Sequence, residues 1–582
     1  MKLVRHVLIV LLLGFGLASC GDREKATDVA ARQGILLWGN GTEPKGLDPH
    51  LVTGVPENHI ISSLIEGLIA YHPTNDMIPE PGMAERWEHN ADQSVWTFYI
   101  RDAKWSNGDP VLASDFVYSW QRALTPELGN EYAEMFYVMK GAKAFHTGET
   151  KDFRTVGVKA LAPRVLQVTL VGPTPFFPNM LKHYSWFPVN PRAVEEHGGM
   201  ANRQSGWSTA ANYVGNGPFV IKKWVTNQEI EVVRNPGYWD AARVRLNGIR
   251  FFPIENAGAE EVMYRSGRLH LTNNVLNEKV PFFKKSMPND LRIEPYLGNY
   301  YYRVNVTRKP FDDPRVRKAL ALAVDRQLLV DKVTKGGQLP GTGFVPAGVP
   351  GYPPSDIAET DIAEAKRLLA EAGYPNGKGF PKTEILINTL ETHRQIAEAL
   401  QAMWRKNLNV DIGIYNQEWK VYLDNMKSLN YDMARAGWIG DYVDPTTFLS
   451  IMTTGNGNND TGWGDPRYDS LIRDAQRAPD EATRFAILRK AEGILMEAMP
   501  IIPLYFYTRV YLRDPRLKGW HPTLLDNHPV KYLYFEEQGP PTPAQASLDP
   551  RGAPMPGTTW DAAPSGQPAP TTTSTPAAAA AR

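Results

Sequence analysis

The sequence lacks the motifs that usually carry hydrolytic chemistry. Cysteine occurs once, as Cys20, in 582 residues, and neither Gly-x-Ser-x-Gly nor His-Glu-x-x-His is present. The Gly-Lys pair within residues 373–379 lacks the spacing and the Ser or Thr of a phosphate loop. The Asn/Gly-rich stretch 455–460 does not match a calcium loop. We therefore expect no enzyme activity, no metal and no cofactor, with a secreted peptidase as the alternative from another class.

An excess of either charge is also missing. Lys and Arg together number 63, and Asp and Glu together number 63, so the formal net charge is zero. No basic field is available to attract a polyanion. We expect the protein not to bind nucleic acid.

Long apolar runs are absent except at the N-terminus. Residues 7–17 are apolar and follow the basic Lys2 and Arg5. The run suits a signal peptide and is too short for a spanning helix of about 20 residues. It ends in Leu-Ala-Ser-Cys at 17–20, which resembles the bacterial lipobox, in which the thiol of Cys20 is lipidated after cleavage. The alternative is a buried cysteine after an ordinary signal peptide.

Both ends of the chain have the composition of tethers. The polar stretch after Cys20 predicts a spacer up to residue 33. Beyond about residue 538 the chain is rich in Pro, Ala and Thr and has too little apolar surface to fold, which predicts a disordered tail. The tail is either a wall-associated spacer or a tolerated extension.

Strands and helices alternate in the C-terminal half. The pattern predicts strands at 384–388, 410–415 and 431–436, separated by a helix that Thr392 caps and a helix at 419–428. Strand–helix alternation predicts parallel pairing with right-handed crossovers. Earlier, Asp313-Pro314 predicts a helix to about residue 333, and Asp361 predicts a cap of a helix that ends at Gly373.

The three predicted strands bring five polar and aromatic residues to one edge of the sheet. Ligands of such sheets bind outside the carboxyl ends of the strands. The residues that follow or end these strands are His393, Trp419, Arg435, Trp438 and Asp441. A free peptide needs an anion for its amino group, a cation for its carboxylate and open backbone groups along its length, and this edge offers each of them.

Each of these residues also has a simpler explanation. Asp441 fits a turn, and Arg435 fits a solvated charge or a salt bridge between lobes. His393 fits a helix terminus in its neutral form, and tryptophans are more often core residues than ligand platforms. Their convergence on one edge favours the binding site.

Long ordered motifs resemble the periplasmic oligopeptide-binding proteins of peptide ABC importers, in solute-binding protein family 5 (the peptide/nickel-binding type). The resemblance covers about residues 35–536. The stretches that carry it are GLDPH at 46–50, GVPE at 54–57, EGL at 66–68, WSNG at 105–108, DFVYSWQR at 115–122, RNPGYWD at 234–240, ETH at 391–393, NQEWK at 416–420 and ARAGWIGDY at 434–442. The last of them is specific to the oligopeptide branch.

The resemblance implies an α/β fold of two lobes that close on the ligand, of the type II-like periplasmic-binding-protein class (cluster C), with an additional domain. The implied divisions are a signal peptide at 1–19, a lipidated tether at 20–33, lobe 1 at 34–69, 191–297 and 509–538, the additional domain at 70–190, lobe 2 at 298–508, and the tail at 539–582.

The implied function is capture of oligopeptides in the periplasm or at the cell surface for delivery to a peptide ABC transporter. The partners would be the peptide, the permease subunits and a membrane reached through lipidated Cys20, with the protein a monomer. The narrower alternative is a binder of dipeptides or of murein peptides.

The resemblance also assigns roles within the site. Asp441 would pair with the amino group of the peptide, and Arg435 and His393 with its carboxylate. The remaining residues would contact the peptide backbone (Glu57, Asn58 and His59 on one side; Gly437, Trp438 and Ile439 on the other) or line side-chain pockets (Tyr132, Trp419 and again Trp438).

Two departures from the family pattern stand out. Relatives carry a lysine in the loop that reads TGFVPAGVP at 342–350, and here it is missing. Its loss predicts that one peptide length lacks a partner for its carboxylate. Relatives also have a disulfide, and its matching positions, Gly298 and Ile439, have lost both cysteines together.

Overall fold

Three β-sheets of four or more strands organise the residues that the computed structural model describes, 24–478 and 480–537. The predicted signal peptide, Cys20 and the tail from 539 lie outside the described residues. The strands are β1 (Ile35–Gly39), β2 (Ile69–Tyr71), β3 (Pro79–Pro81), β4 (Ala84–His89), β5 (Val95–Ile100), β6 (Val158–Ala162), β7 (Val165–Thr169), β8 (Phe219–Val225), β9 (Glu229–Arg234), β10 (Gly248–Phe252), β11 (Leu291–Val304), β12 (Leu339–Pro340), β13 (Thr383–Asn388), β14 (Ile412–Gln417), β15 (Met433–Ile439), β16 (Ile501–Leu512), β17 (Leu517–Lys518) and β18 (Tyr534–Phe535).

Helices cover the sheets and supply most of the connections. They are α1 (Ala26–Arg32), α2 (Val55–Leu64), α3 (Ala113–Leu124), α4 (Ala142–His146), α5 (Phe177–Met180), α6 (Pro191–Glu196), α7 (Ala257–Arg265), α8 (Val280–Ser286), α9 (Pro314–Leu322), α10 (Arg326–Leu328), α11 (Ile362–Glu371), α12 (Glu391–Leu408), α13 (Trp419–Lys427), α14 (Thr446–Leu449), α15 (Pro466–Ala475) and α16 (Glu481–Ala498). Short 3₁₀ turns include Ala133–Val138, Tyr184–Trp186 and Asn277–Lys279, and Leu329–Thr334 is a π-helix.

Two four-stranded sheets are built from the N-terminal half. One has the order β1-β10-β9-β8, with β1 and β10 parallel and the other pairs antiparallel. The other has the order β4-β5-β7-β6 and is antiparallel throughout. Buried and half-buried residues alternate along β5, because one face of this strand packs on the core.

The third sheet has six strands in the order β12-β16-β11-β15-β13-β14. Strand β13 pairs in parallel with both β14 and β15, which confirms the parallel arrangement predicted for these three strands. Strands β15, β11 and β16 pair antiparallel, so the sheet as a whole is mixed. The parallel trio places the carboxyl ends of three strands at one edge, as the sequence predicts.

Two helix predictions are wrong in detail. The helix after Asp313 ends at Leu322, not near 333, because Asp325 starts a new turn by accepting a hydrogen bond from the backbone N–H of Leu328 at 2.9 Å. Thr392 is not a cap, since α12 starts at Glu391 with Leu390 in the cap position. The cap at Asp361 is confirmed, because its carboxylate accepts the N–H of Glu364 at 2.9 Å.

Strands β11 and β16 join two parts of the molecule. At one end Leu291 pairs with Leu512, whose N–H donates to the hydroxyl of Thr272 beside the first sheet. At the other end Tyr302 pairs with Ile502 inside the six-stranded sheet. The register between the two strands shifts between Pro295 and Asn299, so the ribbon is interrupted midway.

In the described ranges, no helix is long and apolar enough to cross a lipid bilayer. In the same part of the chain, no three His, Cys, Asp or Glu side chains group as a metal site would require.

Candidate functional site

A cavity of about 600 Å³ lies between the six-stranded sheet and the N-terminal half of the chain. Its volume falls within the range of about 300–1,000 Å³ that is usual for ligand pockets. All eleven residues predicted for the site line this cavity: Glu57, Asn58, His59, Tyr132, His393, Trp419, Arg435, Gly437, Trp438, Ile439 and Asp441. The structure thus brings the two predicted halves of the site together.

Asp441 lies directly beyond the end of β15, buried against the opposite wall of the cavity. Its carboxylate accepts hydrogen bonds from the hydroxyls of Thr447 at 3.1 Å and Tyr132 at 3.4 Å. The Nε2 of His183 lies 3.2 Å from the same carboxylate. Burial raises the pKa of Asp441 to about 7, although the Thr447 and Tyr132 hydroxyls partly offset the effect. No lysine or arginine pairs with Asp441 among the described residues.

His183 is a neutral partner of Asp441. Its Nδ1 accepts the backbone N–H of Ser185 at 3.3 Å, so the ring proton is on Nε2, which faces Asp441. Burial lowers the pKa of His183 to about 3, so the ring carries no charge that could balance Asp441.

Arg435 supplies a half-buried cation on β15. Its guanidinium donates to the hydroxyl of Tyr507 at 2.9 Å and weakly to the side chain of Asn388 at 3.4 Å, and it lies 5.0 Å from the ring centre of Tyr300. The described residues provide no carboxylate for it. Its charge therefore faces hydroxyls and rings, with Nε lacking any hydrogen-bond acceptor.

His393 lies at the first turn of α12, near Arg435. Its Nδ1 is 3.2 Å from the hydroxyl of Tyr300. Burial, with a further contribution from Arg435, lowers its pKa well below the usual value, so the ring is neutral. The neutral ring is able to donate a hydrogen bond to a ligand carboxylate, but it does not act as a cation near neutral pH.

The last residues of β15 have one open side. Gly437, Trp438 and Ile439 pair with β11, whereas the pairing of β15 with β13 stops at Ala434. The open side forms part of the cavity lining. An extended peptide could add there as another strand, since an unpaired edge offers backbone donors and acceptors.

Two indoles line the cavity near this edge. Trp419 stacks on Tyr422 with the ring centres 5.6 Å apart, and Trp438 is 6.1 Å from the ring of Tyr132. The Nε1 atoms of both tryptophans are buried without a protein acceptor. These rings therefore present apolar surface together with a free donor.

Residues 57–59 belong to α2 on the other wall. One carboxylate oxygen of Glu57 accepts the backbone N–H of Lys45 at 2.6 Å, while the other has no donor, and burial raises the pKa of this group. The ring of His59 shares a hydrogen bond of 3.0 Å with Asn40, and burial lowers its pKa to about 3. The hydroxyl of Ser62 donates to the side chain of Asn58 at 2.9 Å.

Several cavity residues were not found from the sequence. His183 and Tyr507 contact the two charged residues of the site, yet they stand in no motif and reach Asp441 and Arg435 only through the tertiary fold. Among the cations, Arg303 pairs with Asp460 at 2.6 Å, and Arg509 pairs with Asp526 at 2.7 Å. Further basic lining residues are Lys45, Arg203 and Lys427, and further acidic ones are Glu131, Glu255 and Asp424.

The loop 342–350 does not line the cavity, which corrects the argument from its missing lysine. The backbone N–H groups of Phe344 and Val345 both donate to the buried carboxylate of Glu492 at 3.1 Å, so the loop packs against α16. Of the stretch 338–350, only Gln338 lines the cavity. No residue of 342–350 lines this cavity, so the position matched to the missing lysine does not lie in its wall.

Gly298 and Ile439, the positions matched to the family disulfide, are direct cross-strand partners in β11 and β15. A Cβ atom added to Gly298 would lie 2.5 Å from Cδ1 of Ile439. The larger side chain on one strand therefore takes the space that the glycine leaves on the other.

Several known proteins are similar to this chain in sequence and in fold. Residues 79–460 match the family described as bacterial extracellular solute-binding proteins, family 5 Middle. The periplasmic oligopeptide-binding protein OppA of Salmonella typhimurium is 38% identical over 554 residues, covering 92% of this chain and 98% of the relative. The crystal structure of Haemophilus influenzae OppA in complex with RPPGFSPFR has a TM-score of 0.82 at 33% identity, covering 86% of this chain and 99% of that one.

A third relative occurs in two conformations. The structure of the Escherichia coli murein tripeptide binding protein MppA has a TM-score of 0.81 at 35% identity, covering 86% of this chain and 98% of that one. The structure described as its unliganded open form has a TM-score of only 0.60, covering 87% of this chain and 98% of that one. The lobes here are therefore arranged unlike those of the open form. With its α/β two-lobed architecture and its match along most of its length, the chain belongs to the bacterial extracellular solute-binding proteins of family 5.

Proposed function

We propose that the protein captures oligopeptides outside the cytoplasm and delivers them to a peptide ABC importer. The observation that carries the proposal is that one cavity holds two charged groups of opposite sign without an ionic partner, the buried carboxylate of Asp441 and the half-buried guanidinium of Arg435. A buried charge without a partner is costly. A peptide zwitterion with its amino group at Asp441 and its carboxylate near Arg435 would neutralise both.

The backbone of the peptide has a matching surface. The open side of β15 at Gly437, Trp438 and Ile439 lies between Arg435 and Asp441 in the chain. Main-chain hydrogen bonds there would be independent of ligand sequence, while the surrounding cavity would accept the side chains. The OppA relatives are named as oligopeptide-binding proteins, which supports a binding role rather than catalysis.

A narrower ligand is the second candidate. The murein tripeptide binding protein MppA is as similar in fold as the oligopeptide-binding relative, with TM-scores of 0.81 and 0.82. A dipeptide-binding protein, DppE of Bacillus subtilis, is 33% identical over 549 residues. The same two charged groups would suit a short peptide of fixed length.

The remaining proposals concern location and assembly. Cleavage before Cys20 and lipidation of its thiol would hold the protein at a membrane facing the periplasm or the cell surface, as a monomer that meets the permease subunits of the importer. Divisions at 297/298 and 508/509 between the lobes are supported by the register shift between β11 and β16 near the same residues.

Thermal unfolding with defined ligands tests the function. Peptides of two to five residues should raise the melting temperature, whereas free amino acids should not, because ligands that bind only the folded closed form stabilise it by mass action. Stabilisation by murein tripeptide alone would favour the narrower ligand. Mass spectrometry of small molecules released on denaturation identifies the natural ligand, and no response to any peptide would overturn the proposal.

A further inference from the structure

A basic and aromatic surface lies on lobe 1, on residues that do not line the cavity. Helices α7 and α8 expose two large apolar side chains, Val262 with 57% and Phe282 with 47% of its surface accessible. The guanidinium of Arg265 and the ammonium of Lys279 each lie 5.9 Å from the ring centre of Phe282. Helical spacing of three residues puts Val262 beside Arg265 and Phe282 beside Lys285. These five residues define the α7–α8 face.

The face has an excess of positive charge. Arg265, Arg268, Lys284 and Lys285 are exposed and Lys279 is half-buried, while Glu278 is the one exposed carboxylate between residues 257 and 286. Glu261 holds Arg265 at 3.2 Å but is itself largely buried. Exposed apolar side chains ringed by basic ones are the composition of surfaces that lie on anionic bilayers.

The first described residues of the chain pack beside the α7–α8 face. Lys25 packs against Gly267, and the backbone N–H of Thr27 donates to the carbonyl of Gly267 at 2.9 Å. Gly267 lies between Arg265 and Arg268. Cys20, the proposed site of lipidation, precedes Glu24 by four residues, a separation of at most about 14 Å along an extended chain.

We propose that the α7–α8 face docks on an anionic phospholipid surface beside the lipid anchor. The proposal rests on the membrane location given above but not on the identity of the ligand. Phe282 and Val262 enter the headgroup region, while the lysines and arginines meet anionic headgroups. Asn277 lines the cavity and lies two residues before Lys279 in the chain. Docking therefore holds the rim of the binding cavity at the membrane, where the permease is found.

The test uses the full chain tethered through Cys20 to a maleimide phospholipid, which is possible because the chain has no second cysteine. Vesicles of phosphatidylcholine alone are compared with vesicles that also contain phosphatidylglycerol. Hydrogen exchange is followed in residues 257–268 and 279–286. The tether is the same in both vesicles, so a difference in exchange rate reports the effect of headgroup charge. Because the tether is chemical, the result does not depend on lipidation in cells.

We expect slower exchange in both segments on the anionic vesicles only. Lys279→Gln and Lys285→Gln should each reduce the ratio of docked to undocked protein about fivefold, and Phe282→Ser should reduce it further. Leu161→Ser, which changes a residue exposed to 55% on the additional domain, is the matched control and should have no effect. Equal exchange on both vesicles would overturn the proposal. If exchange in these segments slows only when permease is added, the α7–α8 face binds the transporter, and the proposal of membrane docking is overturned as well.

Discussion

Asp441 is the residue whose charge depends most directly on the ligand. A pKa raised by burial from 3.8 to about 7 means that the ligand-free folded protein holds a proton there that the unfolded chain releases. The stability of the ligand-free protein therefore falls as the pH rises from about 4 through 7. The ammonium group of a peptide takes the place of that proton. We predict that stabilisation by a peptide, measured as the shift in melting temperature, increases between pH 5.5 and 7.5.

Asp441→Asn tests the origin of this dependence. The amide keeps the shape of the side chain but cannot ionise, so the increase with pH that Asp441 contributes should disappear. Peptide affinity should fall by about 2–5 kcal/mol. An N-acetylated peptide should lose a comparable amount of affinity for the wild-type protein. If free and acetylated peptides bind equally well, Asp441 does not meet the amino group.

Arg435 offers the corresponding test at the other end of the peptide. The described part of the cavity has no carboxylate that contacts it, and Tyr507 and Asn388 already orient its guanidinium. We predict that Arg435→Gln lowers affinity by about 1.5–3 kcal/mol for peptides whose carboxylate reaches this point. C-terminal amidation should have the same effect on the wild type and little effect on the variant. Calorimetry over lengths of two to five residues identifies the matching length, and equal losses for free and amidated peptides would contradict this role.

Individual residues also show what the sequence could and could not predict. Asp441, Arg435, Trp419 and His393 were found because they follow or end strands of one parallel trio, and strand order follows from local periodicity. The opposite wall depends on contacts between distant segments, such as His183 with Asp441, which no local pattern encodes. The loop 342–350 was misplaced because a gap in a motif does not reveal that Glu492 binds the loop backbone.

At the scale of elements, the start of a helix was predicted correctly where a capping residue stands at the point at which the helical pattern of apolar residues begins. Asp361 and the following helix were correct because a carboxylate at that point can satisfy a free N–H group only at a helix start. The helix after Asp313 was predicted too long because Asp325, which caps the next turn, is a residue type that also occurs inside helices. Local sequence does not decide between the two roles.

Strands β11 and β15 allow a direct test of the lost disulfide. Gly298 and Ile439 face each other as cross-strand partners, so Gly298→Cys with Ile439→Cys should form a disulfide on oxidation. We predict stabilisation by about 2–4 kcal/mol in denaturant titrations. Peptide affinity should change by less than about 0.5 kcal/mol, because the role proposed for Ile439 uses its backbone groups, which the substitution keeps.

Single variants provide the controls for this pair. Gly298→Cys alone should destabilise the protein, because its Cβ would lie 2.5 Å from Ile439. Ile439→Cys alone adds one thiol with no partner at position 298, so it stays open to alkylation. Intact-mass measurement after alkylation distinguishes it from the bridged double variant. Failure of the double variant to oxidise would show that the two positions do not meet in solution.

At the scale of the whole molecule, segments distant in the chain meet beside the cavity. Glu134 is the clearest such contact, because its Oε2 accepts hydrogen bonds from the hydroxyl of Thr453 at 2.9 Å and the amide of Asn456 at 2.5 Å. Phe176 stacks on Tyr442 with the ring centres 6.0 Å apart. On the other side of the cavity, Lys45 pairs loosely with Asp424 at 3.5 Å.

The charge of Glu134 opposes the closure that its hydrogen bonds favour. Burial raises its pKa to about 7, and the Thr453 and Asn456 hydrogen bonds offset only part of the effect. When the lobes open, the carboxyl regains water and its ordinary pKa near 4.5. Closure therefore takes up a proton between about pH 4.5 and 7 and becomes less favourable as the pH rises through that window. Glu134→Gln keeps an oxygen that accepts both hydrogen bonds and removes the charge.

We therefore predict opposite effects for two substitutions of Glu134. Glu134→Gln should increase peptide affinity at pH 7.5 and remove the pH dependence that Glu134 contributes. Glu134→Ala should lower peptide affinity by about 1–3 kcal/mol, because the Thr453 hydroxyl and the Asn456 amide lose their acceptor. Small-angle scattering without ligand should show more closed protein for Gln and less for Ala. Glu127→Ala, at an exposed position of the same domain, is the control and should match the wild type. If Gln and Ala change the closed fraction in the same direction, the contact is not what holds the lobes together.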